Sequence, residues 1–501
     1  MFQSAKQDRS ALPRIAVLIA ILLAVSGAPA QANSSAAPPD RDLTLSAPAG
    51  VAAPERLLNP DGTLDMSTGF QGTLDLRGWE VILDGARAPV LKPASLAAAT
   101  RAAATRAAAA RAAAARAAAA RAAASQVTAW YALPHQGLDG LVYALAVSGS
   151  DLYVGGDFTG TGDGALTDLG SIARYDTTTG TWHALPHQGL DGEVRALAVS
   201  GSDLYVGGFF AGTGDGALID LGSIVRYDTT AGTWHALPHQ GVDNDVRALA
   251  VSGSDLVVGG YFTQTGDGAL TDLGYIARYD TSAGTWHALP HQGLDGYVYA
   301  LAVSGSDLYV GGHFIGTGDG ALTNLGYIAA YDTTAGAWHA LPHQGLDYDV
   351  YALAVSGSDL YVGGYFIGTG DGALTDLGYI ARYDTTAGAW HALPHQGLDR
   401  LVYALAVSGS DLVVAGNFTG TGDGALSNLG SIVRYDTPAG AWHALPHQGV
   451  DNDVRALAVS RSDLYVGGYF TQTGDGALID LGYIARGGAY QNLYLPLVIR
   501  Q

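Results

Sequence analysis

A histidine and an aspartate recur together along this sequence. The stretch PHQGLDG places His135 four residues before Asp139, and an equivalent pair returns every 52 residues. Imidazole and carboxylate groups are common metal ligands, but one ion needs several of them close together. Because each repeat supplies a single pair to its own segment, we expect the pair to form hydrogen bonds that hold its loop. A metal site is the alternative.

The hexapeptide TGDGAL is a second recurring group, beginning at residue 161 and at six later positions. It offers carboxylates that could bind calcium, namely Asp163, Asp168, Asp215 and Asp220 in the first two copies. Calcium takes about six to eight oxygen ligands, and the dense D-x-D-x-D-G spacing is missing. A phosphate cradle would need a following helix and a lysine. We therefore expect a structural turn with an Asx-type hydrogen bond and no cofactor, with calcium as the alternative.

A third group of residues differs from copy to copy. The position of Tyr143, for example, alternates between tyrosine and arginine. Variable tyrosine, histidine, arginine and carboxylate side chains are typical of recognition surfaces, and neutral drift among copied units is the alternative. The candidate ligand-binding residues are Tyr143, Asp157, Phe209, Tyr261, Tyr297, Tyr299, His313, Tyr348, Tyr351, Tyr365, Arg400, Tyr403, Asn417 and Tyr469.

The elements that carry these residues follow from the repeat itself. One unit, read from Trp182, contains four apolar runs at residues 194–199, 203–210, 223–228 and 233–237, separated by turn signals. We name them strands a to d. Four short strands in a repeat of 52 residues, present seven times, predict an all-β, seven-bladed β-propeller. The variable positions lie before or at the start of strand a, at the end of strand b and at the start of strand c. They therefore gather at the end of each blade from which the long loops emerge.

The two ends of the repeat region predict how the ring closes. The first element is a lone strand d, AWYAL at residues 129–133, and the last unit departs from the pattern after YIAR at residues 483–486. The N-terminal strand therefore supplies the missing fourth strand of the last blade, which leaves no open sheet edge. The alternative is that the C-terminal run LYLPLVI, at residues 493–499, fills that place.

The motifs LYVGGDF (152–158), IARYD (172–176) and the TW that opens strand d resemble kelch-type propeller repeats. The long b–c loop and the phrase GLDGxVxALAV resemble the cell-surface polarity-marker type and its secreted bacterial relatives. The resemblance implies a propeller that serves as a binding platform. Copper oxidases of the kelch-like class need a cysteine, and this chain has none.

The chain outside the repeats has a simple organisation. Residues 1–32 have a basic start, a short apolar run and small residues, which is typical of a secretory signal peptide; an uncleaved anchor is the alternative. Residues 33–93 form a leader in which TLDLRGWEVIL, at 73–83, predicts a small hairpin. Residues 94–125 are an Ala/Arg-rich helical spacer. The propeller spans residues 126–487, and a tail spans 488–501.

Charge restricts the partners. Residues 126–501 hold 12 arginines and 37 acidic residues, so binding to nucleic acid is disfavoured. We expect a secreted or cell-surface, non-enzymatic scaffold that is monomeric, has no membrane span after signal removal and recognises a protein or a glycan through its long-loop end. The alternatives are a glycan-active enzyme with carboxylates near the central opening, and a structural or adhesive surface protein.

Overall fold

The structure is a computed structural model, and it describes residues 51–52, 59, 73–74, 79–82, 90–93, 127–461 and 463–488. No helix among them combines the length and apolar character that crossing a bilayer requires. The predicted signal peptide, the helical spacer at residues 94–125 and the C-terminal run 493–499 lie outside the described residues. The chain divides into two compact units, Met1–Ala117 and Ala118–Gln501.

The described residues of the first unit form four short strands. Strand β1 (Val51–Ala52) pairs parallel with β2 (Thr73–Leu74), and β3 (Trp79–Ile82) pairs antiparallel with β4 (Val90–Pro93). The two runs of the sequence 73–83 therefore do not pair with each other. The antiparallel partner of β3 lies further along the chain, in β4.

The second unit is a propeller of seven four-stranded antiparallel sheets, each with strand order a-b-c-d. The strands of blades 1 to 3 are β6 (Leu141–Ser148), β7 (Asp151–Asp157), β8 (Ile172–Asp176) and β9 (Thr181–Ala184); β10 (Glu193–Ser200), β11 (Asp203–Phe209), β12 (Ile224–Asp228) and β13 (Thr233–Ala236); and β14 (Val246–Ser252), β15 (Asp255–Gly260), β16 (Ile276–Asp280) and β17 (Thr285–Ala288). Those of blades 4 to 6 are β18 (Tyr297–Ser304), β19 (Asp307–His313), β20 (Ile328–Asp332) and β21 (Ala337–Ala340); β22 (Val350–Ser356), β23 (Asp359–Gly364), β24 (Ile380–Asp384) and β25 (Ala389–Ala392); and β26 (Val402–Ser408), β27 (Asp411–Gly416), β28 (Ile432–Asp436) and β29 (Ala441–Ala444).

Blade 7 confirms the predicted closure. It consists of β30 (Val454–Ser460), β31 (Asp463–Gly468), β32 (Ile484–Gly488) and the N-terminal strand β5 (Ala129–Ala132). Strand β5 pairs antiparallel with β32, in the register Ala132 to Ala485. The ring is thus closed by hydrogen bonds between the two ends of the propeller, and the blade has the same four strands as the others.

The hydrophobic core lies between neighbouring blades. One cluster joins Tyr153 and Ile172 of blade 1 to Val194, Leu204 and other residues of blade 2, and the same arrangement is repeated round the ring. The double glycine of strand b permits this close packing. A Cβ on Gly155 would lie 2.3 Å from the Val194 side chain of the next blade, so a larger residue there requires the neighbouring blade to shift, as at the equivalent Ala415 of blade 6.

The innermost strand of every blade has a β-bulge at one position. The register between β6 and β7 shifts between Val142 and Ala144, which leaves Tyr143 as the extra residue. The same shift occurs in each of the other blades. A bulge bends the strand and re-aims one side chain, and here it turns one residue per blade toward the centre of the ring.

Candidate functional site

The histidine of each d–a loop pairs with the aspartate of TGDGAL, and not with the aspartate four residues further on. His135 Nδ1 lies 2.9 Å from Asp163 Oδ2, and the other repeats have the same pair at the same distance. Asp139 instead accepts a hydrogen bond of 2.8 Å from the backbone N–H of Thr159. His135 and Asp139, which are four residues apart in the d–a loop, therefore make separate hydrogen bonds to two different residues of the b–c loop.

TGDGAL is a structural turn, as its glycines predict. Asp163 Oδ1 accepts hydrogen bonds from the Ala165 N–H at 2.9 Å, which is the Asx turn, and from the Thr161 hydroxyl at 3.0 Å. The Ala165 N–H and His135 hold the pKa of Asp163 below its ordinary value. Both carboxylate oxygens of Asp163 therefore have partners, Oδ1 within the TGDGAL loop and Oδ2 in the d–a loop, as in the other copies.

The calcium candidates do not converge. Asp163, Asp168, Asp215 and Asp220 are exposed, and Asp168 accepts a hydrogen bond from the neighbouring Thr167 hydroxyl at 3.1 Å. Within the described residues, no group of three or more histidine, aspartate or glutamate side chains is arranged to hold a metal ion.

The same loops also connect one blade to the next. The Leu190 N–H, in the d–a loop that leads to blade 2, donates to the carbonyl of Gly170 in blade 1 at 2.8 Å. The indole N–H of Trp234 donates to the carbonyl of Pro186 at 3.0 Å. Leu138 donates to Gly482, and Trp130 to Pro446, which extends the network across the closure. The need to join neighbouring blades thus explains why these loops are nearly the same in every repeat.

The bulge residues line one cavity at the long-loop end of the central channel. We call this cavity the channel mouth; its volume is about 370 Å³. Its walls are Tyr143, Arg195, Arg247, Tyr299, Tyr351, Tyr403 and Arg455, one from each blade, together with Tyr261 and Tyr469 from strand b. The alanine and leucine that follow each bulge residue line the channel below, as in Ala144 and Leu145.

The three arginines of the mouth are paired with carboxylates. Arg195 contacts Glu193 through a guanidinium nitrogen, and Arg247 Nε donates to Asp245 Oδ2 at 2.7 Å. Arg455 donates to Asp453 Oδ2 at 2.9 Å. The guanidinium groups also stack on tyrosine rings.

The stacking is closest at Arg455, whose guanidinium carbon lies 3.7 Å from the centre of the Tyr403 ring; that of Arg247 lies 4.5 Å from Tyr261. Such contacts are favourable for both the cation and the ring. The mouth is therefore a mixed lining of paired charges and aromatic rings.

Among the buried side-chain atoms of the described residues, those without a hydrogen-bond partner all lie near this end of the channel. The buried side-chain atoms without a hydrogen-bond partner are Arg195 Nε, Asp245 Oδ1, Asn417 Oδ1 and Arg455 Nε. Arg195 Nε lies 3.4 Å from Asp245 Oδ2 but is too poorly aligned to donate to it. Each such atom costs about 1–3 kcal/mol, so this cluster is less well satisfied than the invariant loops.

Burial shifts the pKa of several groups around the mouth. It raises the pKa of Asp245, against the opposing effect of Arg247 and Arg195. It also raises the pKa of Tyr143, Tyr299 and Tyr351. The phenols therefore stay protonated at neutral pH, and each can both donate and accept a hydrogen bond.

Aromatic rings continue outward from the mouth over blades 3 to 5. We call this band the aromatic arc; it consists of Tyr261, Tyr275, Tyr297, His313, Tyr327, Tyr348, Tyr365 and Tyr379. Successive rings lie within contact distance, for example 4.3 Å between Tyr261 and Tyr297 and 4.9 Å between Tyr348 and Tyr365. Tyr261 also lies 6.0 Å from Tyr299 of the mouth.

His313 is the one imidazole of the arc. Its Nδ1 lies 2.5 Å from Asp349 Oδ1, and the Tyr351 hydroxyl donates to the other oxygen of this buried carboxylate at 3.3 Å. Asp349 therefore joins a ring of the arc to a ring of the mouth. The solvent-exposed fractions of Tyr297, Tyr348 and Tyr365 are 40%, 43% and 47%. The arc therefore presents an aromatic surface to solvent.

The predicted candidates thus fall into three groups. Tyr143, Tyr261, Tyr299, Tyr351, Tyr403 and Tyr469 line the mouth, while Tyr297, His313, Tyr348 and Tyr365 belong to the arc. Asn417 donates to the Tyr403 hydroxyl at 3.4 Å. Asp157, Phe209 and Arg400 are exposed on blades 1, 2 and 6, away from the arc.

Sequence-based selection missed several residues of the site. Arg195, Arg247 and Arg455 occupy the same repeat position as Tyr143. That shared position could have identified them from the sequence as residues of the mouth. Tyr275, Tyr327 and Tyr379 occur at a position where three other repeats have serine and the last repeat has Tyr483. Their place in the arc depends on contacts between blades, which the repeat alignment does not contain.

Comparison with known proteins gives limited relationships. No protein-family model matches the sequence. The chain is 27% identical over 205 residues to the polarized growth protein rax2 of Schizosaccharomyces pombe, which covers 38% of this chain and 17% of that protein. It is 38% identical over 85 residues to the polarized growth protein L1 of Phoma sp., covering 17% of this chain and 6% of that protein. The chain thus spans less than a fifth of either relative.

Two solved structures are also similar. The computationally designed Ika8 protein matches with a TM-score of 0.44 and 17% identity, over 73% of this chain and 99% of that one. The extracellular domain of a protein from B. thetaiotaomicron matches with a TM-score of 0.36 and 15% identity, over 69% of this chain and 50% of that one. The seven-bladed assignment rests on the strand order of this chain itself.

Proposed function

We propose that this protein is a non-enzymatic binding scaffold that recognises a protein or a glycan through the long-loop end of its propeller. The observation that carries the proposal is the aromatic arc with its exposed tyrosines, continuous with the channel mouth. Exposed aromatic rings supply large contact areas at a low cost in side-chain entropy. Elsewhere in the ring, the repeated polar residues are used to join loops and blades.

We place this activity at the cell surface or outside the cell. The N-terminal sequence has the pattern of a secretory signal. The partial similarity to proteins named for polarized growth agrees with a role that does not require catalysis. A structural or adhesive surface role would use the same binding end.

An array of proteins and glycans tests the proposal. The variant Tyr299→Ala, Tyr351→Ala, Tyr365→Ala removes two rings of the mouth and one of the arc, and we expect it to lose binding to ligands that the wild-type chain retains. The control is His339→Ala, His391→Ala, His443→Ala, which removes three exposed rings from strand d, the outermost strand. Equal binding by both variants and the wild type would exclude the long-loop end as the binding site.

Hydrolysis of a glycosidic bond is a second candidate function, favoured by one observation. Arg195 lies between Glu193 and Asp245, and burial raises the pKa of Asp245. A carboxylic acid with a raised pKa beside an ionised carboxylate is the usual arrangement in glycosidases. Incubation with oligosaccharides followed by mass spectrometry distinguishes the two functions, since the scaffold leaves the oligosaccharides intact.

A further inference from the structure

We propose that the ligand is a neutral glycan whose terminal sugar enters the channel mouth and whose chain continues along the aromatic arc. This inference rests on the proposed binding function and names the chemical class of its ligand. It follows from the charge balance of the mouth, the kinds of hydrogen-bonding groups it contains, its size, and the aromatic surface beside it.

Charge balance excludes a strongly ionic ligand. Each guanidinium group of the mouth contacts a carboxylate, namely Arg195 with Glu193, Arg247 with Asp245, and Arg455 with Asp453. No guanidinium is left with an uncompensated charge to attract an anion, and the propeller around the mouth is acidic. The carboxylates of these pairs are engaged by the same guanidinium groups, so they are not left free to attract a cation. The mouth therefore favours a ligand without net charge.

The unpartnered polar atoms at and behind the mouth include both donors and acceptors. Two of them, Arg195 Nε and Arg455 Nε, are donors, and the other two, Asp245 Oδ1 and Asn417 Oδ1, are acceptors. A hydroxyl both donates and accepts, whereas a carboxylate or phosphate only accepts and an ammonium only donates. These atoms are shielded from solvent, so a ligand hydroxyl reaches Arg195 Nε and Arg455 Nε only when the guanidinium groups turn toward the mouth.

The tyrosines around the mouth have the same dual character. Burial raises the pKa of Tyr299 and Tyr351, which keeps their hydroxyls protonated. A sugar ring offers several adjacent hydroxyls at one end and a C–H surface on its faces. It can therefore bind the phenol hydroxyls and guanidinium groups while its C–H surface packs on the rings.

Size and surroundings agree with one sugar unit at the mouth and more units outside it. The volume of about 370 Å³ lies at the low end of the range for small-ligand sites. The arc then extends from Tyr261, beside the mouth, through Tyr297 and Tyr348 to Tyr379, at the start of strand c of blade 5. Such a row of exposed rings suits an extended chain of neutral sugars.

Calorimetric titration of the full chain tests the inference. The probes are neutral hexasaccharides of β-1,4-glucose, β-1,4-xylose and β-1,4-mannose, and the acidic comparison is a hexasaccharide of galacturonate. We expect at least one neutral probe to bind and the acidic probe to bind at least ten times more weakly. The variant Arg195→Gln, Arg455→Gln should weaken neutral binding by ten-fold or more.

The control is Arg278→Gln, because Arg278 is also partly exposed and pairs with a carboxylate, Asp255 at 2.9 Å, but lies outside the mouth. It should bind the neutral probe like the wild type. If the double arginine variant does not fold, Tyr403→Phe removes only a hydroxyl from the mouth and should weaken binding by two- to five-fold.

The outcomes separate this inference from the proposed function. Preferred binding of the acidic probe, or neutral binding that the mouth variants leave unchanged, overturns the inference. Binding of a protein at the same end without binding of any saccharide also overturns it, while the scaffold function stands. If the wild-type chain binds neither a protein nor a saccharide, the proposed scaffold function is overturned as well.

Discussion

The invariant loops and the variable end of this propeller are built from neighbouring segments but obey different rules. His135 and Asp163 belong to a network in which each carboxylate oxygen has a partner, and every blade repeats it. A few residues away, the bulge position is Tyr143 in blade 1 and tyrosine or arginine in the other blades. Two of its arginines, Arg195 and Arg455, have a buried Nε without a hydrogen-bond partner. Sameness here marks the contacts that all blades need, and difference marks the end at which we propose that a ligand binds.

The largest expected effect lies in the invariant network. Trp286 is buried, and its indole N–H donates to the carbonyl of Pro238 at 3.0 Å. Trp286→Ala should lower the free energy of unfolding by about 3–5 kcal/mol, because it leaves a cavity between the loops. Guanidinium chloride denaturation followed by circular dichroism measures this loss.

Trp286→Phe is the matched control, since it keeps most of the buried ring and removes the hydrogen bond. It should cost about 1–2 kcal/mol. Equal stability of Trp286→Ala and the wild type would show that the invariant loops do not hold the blades together.

A smaller loss is expected from the glycine that ends the b–c loop. Gly274 has φ of +58°, and a Cβ there would lie 1.8 Å from the carbonyl oxygen of Gln292. Gly274→Ala should cost about 3 kcal/mol, from the strained backbone and the displaced loop of the next blade. Thermal denaturation compares it with Gly253→Ala.

Gly253 has φ of +61° with no other atom within 4 Å of the added Cβ. Its replacement therefore includes the backbone strain without the clash and should cost about 1 kcal/mol. Similar losses for both variants would mean that the contact between blades contributes little.

Acid should weaken the invariant network. The pKa of Asp163 and of its counterparts is lowered in the folded state, first by the backbone N–H of the Asx turn and then by histidine. The stability they contribute is present above the unfolded pKa of about 3.9 and is lost as the pH falls through the folded values. The melting temperature should therefore drop below about pH 4.

Replacing these aspartates by asparagine in all repeats should lower the melting temperature at neutral pH and make the acid drop shallower. The positions are 163, 215, 267, 319, 371, 423 and 475. An unchanged acid profile would assign the loss to other carboxylates, such as Asp176, whose pKa the N–H groups of the c–d turn also lower.

The smallest stability effect is expected on the variable end. Tyr365 is 47% exposed, and Tyr365→Ala should change the free energy of unfolding by about 0.5 kcal/mol or less. A loss comparable to that of Gly274→Ala, in the same denaturation experiment, would show that the arc has a structural role and would weaken the distinction between the two regions.

Much of this molecule was predictable from local patterns. The period of the repeats, the strands a to d, the closure by residues 129–133 and the Asx turn of TGDGAL all follow from residue types at short spacing, and the structure confirms them. The grouping of the variable positions at one end was predictable because alternate turns in an antiparallel sheet lie at opposite ends.

Other features were not predictable from the sequence. The partner of His135 lies 28 residues away, in another loop, and not at Asp139. His135 and Gln136 both have positive φ, a conformation usually left to glycine and asparagine, because the surrounding hydrogen bonds hold them. No local pattern identifies such residues.

The sequence by itself determined the repeat, the number of blades and which positions differ, since these depend on hydrophobic pattern and turn chemistry within each unit. Only the tertiary structure decided which of the differing residues meet. The bulge turns one side chain per blade into the channel, and the ring brings Arg195, Tyr299 and Arg455 to one cavity from positions far apart in the chain. Closure of the ring, a contact between the two ends of the propeller, is what makes them neighbours.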